Sequence, residues 1–471
     1  MHDSANRRFL KSFLRVLETA WDKQVTNGRG IDKEPRPIKV GSHPEIDTMN
    51  NSAQITAAAL IAAATTVASA GSLELDRSYA SELKADAGAR SVLNQGNLGN
   101  VEVSVGVQFG YSYNSRNDDA SSTLGDSDTT LGFQFQEVEV AVEGDITDNM
   151  RGRISFDFGP DDGVSGATNV NLEDAYADWN VNDSFDLRIG QFIPAFSSEA
   201  STSTFHTVNA YRSVTHEFLG TPSWTQGIQA TWGGDTWDFS AGFNDGPGTW
   251  NTAFNSSAEA DYAFNARFDF YSDSNKDRFA DQSSWRGSDA GWRLGAGLLY
   301  ATYGDTNPAT TTAEADVLWY TLDGAYEGDG WSVWAAFYGT DFDPDTGTDH
   351  TNYGFELGGS MFFSDQWEGF ARWDTLLLDD DAGAGQTSGE DSFNFIALGA
   401  NYYFVPESHA AKLTFEVGVS LDETADITNT AGDTGVNPLG SVTGAGSSGF
   451  LTDISGEDGQ FMVSAVMQFL F

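Results

Sequence analysis

The chain has 471 residues, 51 of them glycine, with 13% aromatic residues, no cysteine and a formal net charge of −45. The lack of cysteine excludes a disulfide framework, a thiolate metal site and a cysteine nucleophile. Nucleic acid is excluded as a partner because it requires a basic footprint, and the aromatic content argues against a disordered acidic chain.

Residues 49–70 have the pattern of a signal peptide. An uncharged, alanine-rich run begins at Ala53 and ends in the small residues Ala68 to Ala70, which resemble a cleavage site. Residues 1–48 ahead of it are interpreted either as a mis-extended gene start or as a long leading region with a basic amphipathic helix. Both interpretations predict export of the protein.

Residues 71–100 are predicted to form a periplasmic segment, helical over 71–93, where apolar residues recur at four-residue spacing. From Val101 onward the period changes to two. In the stretch VEVSVGVQFGY, large apolar residues form one face, and small, polar or charged residues form the other. The phase slips at Gln136 and Glu137, which predicts a β-bulge.

The alternation predicts sixteen strands, and the connections between them are in turn short and long. The predicted strands are 101–113, 131–145, 150–158, 170–180, 184–193, 224–233, 236–244, 262–270, 290–303, 315–327, 331–341, 352–363, 366–376, 392–404, 410–421 and 461–471. One connection breaks the rule, because residues 271–289 are far too long for a tight turn. Two further strands there, giving eighteen, are an alternative.

The apolar faces carry aromatic residues at the strand ends, whereas the opposite faces carry glycine and charge. A water-soluble β-sandwich would bury its apolar faces, but these faces suit a barrel that is inside out, with aromatic residues at the two membrane interfaces. The last strand ends on Phe471 and is expected to close the sheet against the first strand. We therefore predict an all-β fold, a transmembrane antiparallel β-barrel spanning residues 101–471.

Two stretches, LEDAYADWNVNDSFDLRIGQFIPAFSSE at 172–199 and GIQATWGGDTWDFSAGFNDG at 227–246, resemble the phosphate-selective porin O and P family of bacterial outer membranes. The resemblance implies a homotrimeric diffusion channel in outer-membrane lipid, with some extracellular loops folded into the pore. Phosphate selectivity is not carried over, because a phosphate path needs lysine or arginine. After the signal the chain has only three lysines, Lys84, Lys276 and Lys412.

Strand parity predicts which charged residues line the lumen: Glu102, Arg153, Asp157, Asp186, Arg188, Arg267, Asp269, Arg293, Glu356, Arg372, Asp374 and Glu416. A wall of both signs sets up a transverse field, while the acidic outer loops concentrate cations and repel anions. We therefore expect a mild preference for cations. The alternative is that the inward charges are merely paired and that the loop acids serve solubility.

The connection from Pro194 to Ser223 is the candidate for a pore constriction, because it is long and less acidic than the other outer loops. Its candidate residues are Glu199, His206, Tyr211, Arg212, His216 and Glu217. In another loop, Asp341, Asp343 and Asp345 resemble the start of a calcium-binding loop, with glycine one place late and no glutamate at position twelve. A weak calcium site and a solvated acidic turn are both open there, and no other cofactor is predicted.

The leading functional hypothesis is a passive, non-enzymatic outer-membrane porin for small hydrophilic solutes and ions. A secreted, acidic β-sandwich that binds or cleaves polysaccharide is the alternative from another class. An outer-membrane enzyme built on a barrel is a third option, but no nucleophile and base can be identified.

Overall fold

The computed structural model describes residues 101–116, 129–158, 170–220, 222–252, 256, 259–304, 314–379, 391–424, 427, 448–451 and 459–471. The predicted segments 1–48, 49–70 and 71–100 lie outside these residues. The described residues form one closed antiparallel sheet in which β16 returns to pair with β1. The strands are β1 (Val101–Ser115), β2 (Thr129–Thr147), β3 (Met150–Asp157), β4 (Asn171–Asn182), β5 (Phe185–Phe192), β6 (Thr225–Gly233), β7 (Trp237–Asn244), β8 (Tyr262–Tyr271), β9 (Gly291–Tyr303), β10 (Ala315–Gly328), β11 (Trp331–Pro344), β12 (His350–Phe362), β13 (Trp367–Leu377), β14 (Ser392–Tyr403), β15 (Ala411–Ser420) and β16 (Phe461–Leu470).

The predicted sixteen-stranded barrel is therefore confirmed, and the last aromatic residue closes it. Phe471 exchanges two backbone hydrogen bonds with Val105 of β1, of 2.7 and 3.0 Å. Closure satisfies the peptide groups of both end strands, so the sheet has no free edge. The β-sandwich alternative is wrong, because a sandwich has two packed sheets and this chain has one closed sheet.

The barrel carries its large apolar side chains on the outside. Phe133 and Phe264 are 72% and 47% exposed, and Leu322 is 60% exposed. Alternate residues of the same strands point inward, and most of them are polar, charged or small, apart from an apolar cluster that packs against the connection between β5 and β6. This arrangement places an apolar wall against the hydrocarbon of a membrane and polar groups around the lumen.

The predicted β-bulge lies where the phase of the sequence slips. Gln108 pairs with Glu137 and Phe109 pairs with Phe135, so Gln136 is the extra residue on β2. A second register shift separates Ile154 and Phe156 of β3 in their pairing with β4. Because each bulge shifts the alternation by one residue, it brings neighbouring acidic residues to the inner face.

The two ends of the barrel differ in their connections. Six short turns, at 148–149, 183–184, 234–236, 329–330, 363–366 and 404–410, join strands at what we call the turn end, where β1 begins and β16 ends. The connections at the other end, the loop end, are mostly long. Residues 272–290 also connect two strands at the turn end. They contain a 3-10 turn at Lys276–Ala280 in place of the two further strands of the alternative prediction. Eighteen strands are thus excluded for the described chain.

Among the described residues, no helix has the length and apolar character needed to cross a membrane. The helical elements are short and lie in connections. The connection between β5 and β6 contributes the α-helix α1 (Ser198–Ser201), a 3-10 turn at Thr204–His206 and a π-helical turn at His216–Gly220.

Candidate functional site

Residues 193–224, which we call the inward loop, connect β5 to β6 and fold into the lumen. Their backbone groups are bound by inward side chains of the wall. Arg267 donates to the carbonyl oxygen of Phe196 at 2.6 Å, and Lys412 donates to that of Thr207 at 2.7 Å. The predicted loop that folds into the barrel is therefore present in the structure.

Buried carboxylates of the wall accept hydrogen bonds from backbone N–H groups of the same loop. Glu416 accepts a hydrogen bond from the backbone N–H of Ala210 at 2.7 Å, and Asp374 accepts one from that of Thr215 at 3.2 Å. Such charge-assisted bonds satisfy backbone groups that would otherwise lose their water on burial. These buried charged side chains therefore hold the inward loop in place.

Apolar packing adds to these bonds on one side of the barrel. Tyr211, Val214, Phe218 and Leu219 of the inward loop pack in one buried cluster with wall residues; the wall members include Tyr338, Leu376, Phe393, Phe395, Met462 and Val466. Small residues let the backbones approach: a Cβ atom added to Gly297 of β9 would clash with the carbonyl oxygen of Phe196. The glycine of the inner face is thus needed here for close contact.

The inward loop divides the lumen into two unequal sides. Inward residues of β12, β13, β15 and β16 are buried almost without exception, because the loop covers them. We call this side the filled half. Inward residues of β2 to β5 mostly keep contact with water, which leaves a path along that wall.

The charged residues of β1 to β5 all face this path, and we call them the acidic wall. The carboxyl groups are those of Glu102, Glu137, Glu139, Glu143, Asp145, Asp157, Glu173, Asp174, Asp178 and Asp186, and the guanidinium groups are those of Arg151, Arg153 and Arg188. Ten carboxyl groups against three guanidinium groups give a formal excess of seven negative charges. Only Glu173 in the set is buried.

The three arginines of the acidic wall are cross-linked to its carboxylates. Arg153 forms ion pairs with Glu139 and Asp174, each at 2.7 Å, and with Glu143. Arg188 pairs with Asp178 at 2.7 Å and lies 3.9 Å from the ring centre of Tyr176. Because every arginine there is already paired, the field in the path is set by the surplus of carboxylates.

All twelve predicted lumen residues point inward, but they fall into two groups. Glu102, Arg153, Asp157, Asp186 and Arg188 lie on the acidic wall beside water. The others lie where the loop or residues 272–290 cover the wall, and five are almost fully buried: Arg267, Glu356, Arg372, Asp374 and Glu416, at 5%, 3%, 5%, 1% and 1% exposure. Asp269 and Arg293 are partly buried. Parity predicts the inward direction of a side chain and contains no information on what covers it.

The six predicted constriction residues are mostly fastened inside the loop. Arg212 donates to the carbonyl oxygens of Glu199 and Thr202, at 2.6 and 2.7 Å, and lies 3.9 Å from Glu217. The hydroxyl of Tyr211 lies 2.8 Å from that of Ser112 on β1. Glu199, Tyr211, His216 and Glu217 are buried, and only His206 and Arg212 remain partly exposed.

Two ionisable groups of the loop are strongly perturbed. Burial and the neighbouring Glu356 raise the pKa of Glu199 well above its ordinary range. Burial also lowers the pKa of His216 well below its ordinary value, and the nearby Arg212 and Arg372 add to this effect. His216 lies 3.7 Å from Glu199, and both pKa shifts favour the neutral forms of these two groups.

Asp341 and Asp343, two of the three candidate calcium ligands, lie on β11 with the parity of its outward residues, and Asp345 follows the strand. In the described part of the chain, no three acidic or histidine side chains come together in a group suited to a metal ion. The calcium site stays a prediction from the sequence.

Sequence reasoning missed seven carboxylates of the acidic wall: Glu137, Glu139, Glu143, Asp145, Glu173, Asp174 and Asp178. Glu137 and Glu139 follow the β2 bulge, and Asp174 follows the irregularity of β4, so their facing could not be read from parity. Glu143 and Asp178 have the inward parity once those bulges are placed. The phase slip at Gln136 and Glu137 was therefore the signal that the sequence offered for part of this wall.

The family model of the phosphate-selective porin O and P family matches residues 101–296. The resemblance seen in the sequence is therefore confirmed over the part of the barrel that carries the acidic wall and the inward loop. No curated protein matches the chain.

Two solved structures illustrate the likeness of fold. An anion-selective porin from Comamonas acidovorans aligns with a TM-score of 0.52 and 14% identity, covering 79% of this chain and 99% of that one. OmpF of Salmonella typhi, in a complex with daunomycin, aligns with a TM-score of 0.50 and 12% identity, covering 79% and 98%. The chain is thus an outer-membrane β-barrel with the porin fold, and over residues 101–296 it resembles the phosphate-selective porin O and P family.

Proposed function

We propose that the protein is a passive diffusion channel for small hydrophilic solutes and ions, with a preference for cations. The observation that carries the proposal is the acidic wall, which has a formal excess of seven carboxylates and lies beside the unfilled part of the lumen. Carboxylates along an aqueous path raise the local cation concentration and repel anions. Transport by diffusion requires no catalytic group, so the proposed protein is not an enzyme.

The inward loop supports a narrowing of this path without adding opposite charge. Its most exposed side chains are those of Ser201 and Ser203, which are neutral. Its buried charges are occupied with wall and backbone partners. The field that a passing ion meets is therefore dominated by the acidic wall across from the loop.

Anion selectivity, which is the property of the Comamonas acidovorans porin, has weaker support in this chain. Of the two lysines in the described residues, Lys412 is buried and donates to the carbonyl oxygen of Thr207. Lys276 pairs with Asp238 at 2.6 Å. Neither lysine presents a free ammonium group to the path, as an anion ladder would require.

We also propose assembly as a homotrimer, in line with the family resemblance. Strands β3, β5 and β7 have 8 residues each, whereas β10 and β11 have 14. At roughly 3.3 Å per residue and a tilt of about 40°, eight residues reach about 20 Å, which is less than the apolar band of about 25 Å. Neighbouring subunits would cover the side of the barrel that these short strands form. This contact would remove the mismatch between strand length and the thickness of the lipid layer.

The test is conductance of the purified protein in a planar bilayer under a KCl gradient. We expect ohmic steps, grouped in threes, and a reversal potential of the sign given by cation flow. Asp186→Asn should lower the cation preference, since Asp186 is exposed on the acidic wall. Asp343→Asn, which removes an exposed carboxylate from the outward face of β11, is the matched control and should leave it unchanged. An anion-signed potential contradicts the proposal, and so does an absence of steps.

A further inference from the structure

Residues 272–290, which we call the turn-side insert, run back into the barrel from its turn end. Ser283 and Ser284 are 3% and 2% exposed and Phe279 is 7% exposed, although they belong to a connection between strands. The other described turn-end connections are short. The insert therefore occupies space inside the mouth of the barrel.

The insert is fastened beneath the filled half. Asp281 pairs with His409 at 2.7 Å, and the hydroxyl of Ser283 lies 2.9 Å from that of Tyr403 and donates to Glu368 at 3.2 Å. Burial opposes ionisation of Asp281, but the histidine and backbone partners outweigh it and lower its pKa. A paired carboxylate and imidazole at this depth is a geometrically specific anchor.

Trp285 is the apolar part of the same anchor. Its ring centroid lies 4.9 Å from that of Tyr403, 5.2 Å from that of Phe362 and 5.2 Å from that of His409. Aromatic contacts of this kind contribute about 0.5–1.5 kcal/mol each beyond burial. The tryptophan thus seats the insert on β12 to β15.

The insert meets the inward loop in the middle of the barrel. The backbone N–H of Gln282 donates to the carbonyl oxygen of His206 at 3.2 Å, and the side chain of Gln282 accepts from the N–H of Val208 at 3.1 Å. Between these two segments and strands β10 to β12 there remains a cavity of about 30 Å³, lined by Glu199, Glu327 and Trp334 among others. Such a space holds about two water molecules and no hydrated solute.

The first part of the insert is tied to the other side of the mouth. Lys276 donates to Asp238 of β7 at 2.6 Å and to the carbonyl oxygen of Gly234 at 2.9 Å. Arg278 donates to Asp273 at 2.8 Å and to the carbonyl oxygen of Asp289 at 2.9 Å, which braces the insert internally. The insert therefore reaches from the turn after β6 to the turn after β14.

We infer that the turn-side insert is a second constriction of the channel, which closes the turn end below the filled half and directs solutes past the acidic wall. Trp285 and the pair of Asp281 with His409 are its positioning residues. The inference rests on the proposed channel function and adds where the path leaves the barrel. Selectivity then depends on the acidic wall along the path, because the insert covers the turn end beneath the filled half.

One test shortens the insert to a tight turn like its neighbours and compares single-channel conductance with the wild type. We expect conductance to rise about twofold and the cation preference to fall, because an exit opens away from the acidic wall. If the shortened chain folds poorly, Trp285→Ala is the smaller change to use. It should give a partial rise in single-channel conductance with increased current noise. Trp237→Ala, on the outward face of β7, is its matched control.

A second readout uses the natural absence of cysteine. A charged thiol reagent should label Glu327→Cys, beneath the insert, at least about tenfold more slowly than Ser240→Cys on the inner face of β7. Adding Trp285→Ala should remove most of this difference. Unchanged conductance in both insert variants, or equal labelling of the two cysteines, overturns the inference. A wild-type protein that conducts nothing defeats the proposed function instead.

Discussion

The guanidinium group of Arg372 on β13 donates a hydrogen bond of 2.8 Å to the carbonyl oxygen of Tyr211, so the barrel wall binds the backbone of the inward loop. The same group donates to the carbonyl oxygen of Arg212 at 3.1 Å and lies 3.5 Å from Asp374. One buried cation thus joins two loop carbonyls to a buried carboxylate. Arg372 therefore has a structural role: it holds the inward loop against the barrel wall.

Replacing Arg372 with methionine should destabilise the folded barrel by about 3–5 kcal/mol, because Asp374 is left buried without its cation. Thermal unfolding in detergent, followed by β-sheet circular dichroism, measures this loss. Arg151→Met is the matched control. Its ion pairs with Glu102 and Glu143 are solvent-exposed, at 44% for the arginine side chain, and should contribute less than about 1 kcal/mol. Equal losses in the two variants would show that Arg372 is not a fastening.

The buried carboxyl of Glu199 should make stability fall on the alkaline side. Its pKa is raised in the folded state, so the folded protein retains a proton that the unfolded chain releases. The contribution is fully present below the ordinary glutamate pKa of about 4.3, and it is lost as the pH rises through the folded-state pKa. Glu199→Gln keeps the neutral shape and should therefore gain stability relative to the wild type as the pH is raised.

Unfolding temperatures between pH 5 and 9 measure this effect. Glu102→Gln, at a side chain that is half exposed, should follow the wild-type profile and serves as the control. A constant difference between Glu199→Gln and the wild type over the whole range is the contrary result.

Arg153 should moderate the charge selectivity of the path. Its guanidinium group neutralises part of the field of Glu139, Glu143 and Asp174. Arg153→Gln raises the formal excess of carboxylates by one, so the reversal potential in a KCl gradient should move further in the cation direction. Arg286→Gln, at an exposed pair with Asp365 on the turn-side insert, removes the same charge away from the wall and is the control. A shift toward anions would contradict the role of the acidic wall.

Most of the fold could be predicted because the strands of a membrane barrel alternate between apolar and polar residues. All sixteen predicted strands lie within three residues of the observed bounds at each end. The β2 bulge was also predicted, since the alternation of apolar and polar residues slips by one position at Gln136. Closure through Phe471 followed from an apolar last strand.

The site was predicted less completely, for a reason that concerns long-range contacts. Alternation predicts that Arg372 and Glu416 point inward, but the residues that cover them are 161 and 206 positions away along the chain. The length of residues 271–289 left eighteen strands open as an alternative to sixteen, because no local pattern indicates that a turn folds back into the lumen. The burial of His216 likewise depends on a distant residue, because its ring contacts that of Tyr338 on β11, with 6.0 Å between the ring centroids.

The most direct test of the central claim is modification of single cysteines during conductance recording. Ser240→Cys lies on the inner face of β7, where the serine is partly exposed, whereas Ser464→Cys lies on the inner face of β16, where the serine is 1% exposed beneath the inward loop. A positively charged thiol reagent should lower the conductance of the Ser240→Cys channel and its cation preference, and it should leave the Ser464→Cys channel unchanged. Block at Ser464→Cys with no effect at Ser240→Cys would contradict the account, since ions would then pass through the half of the barrel that the loop fills.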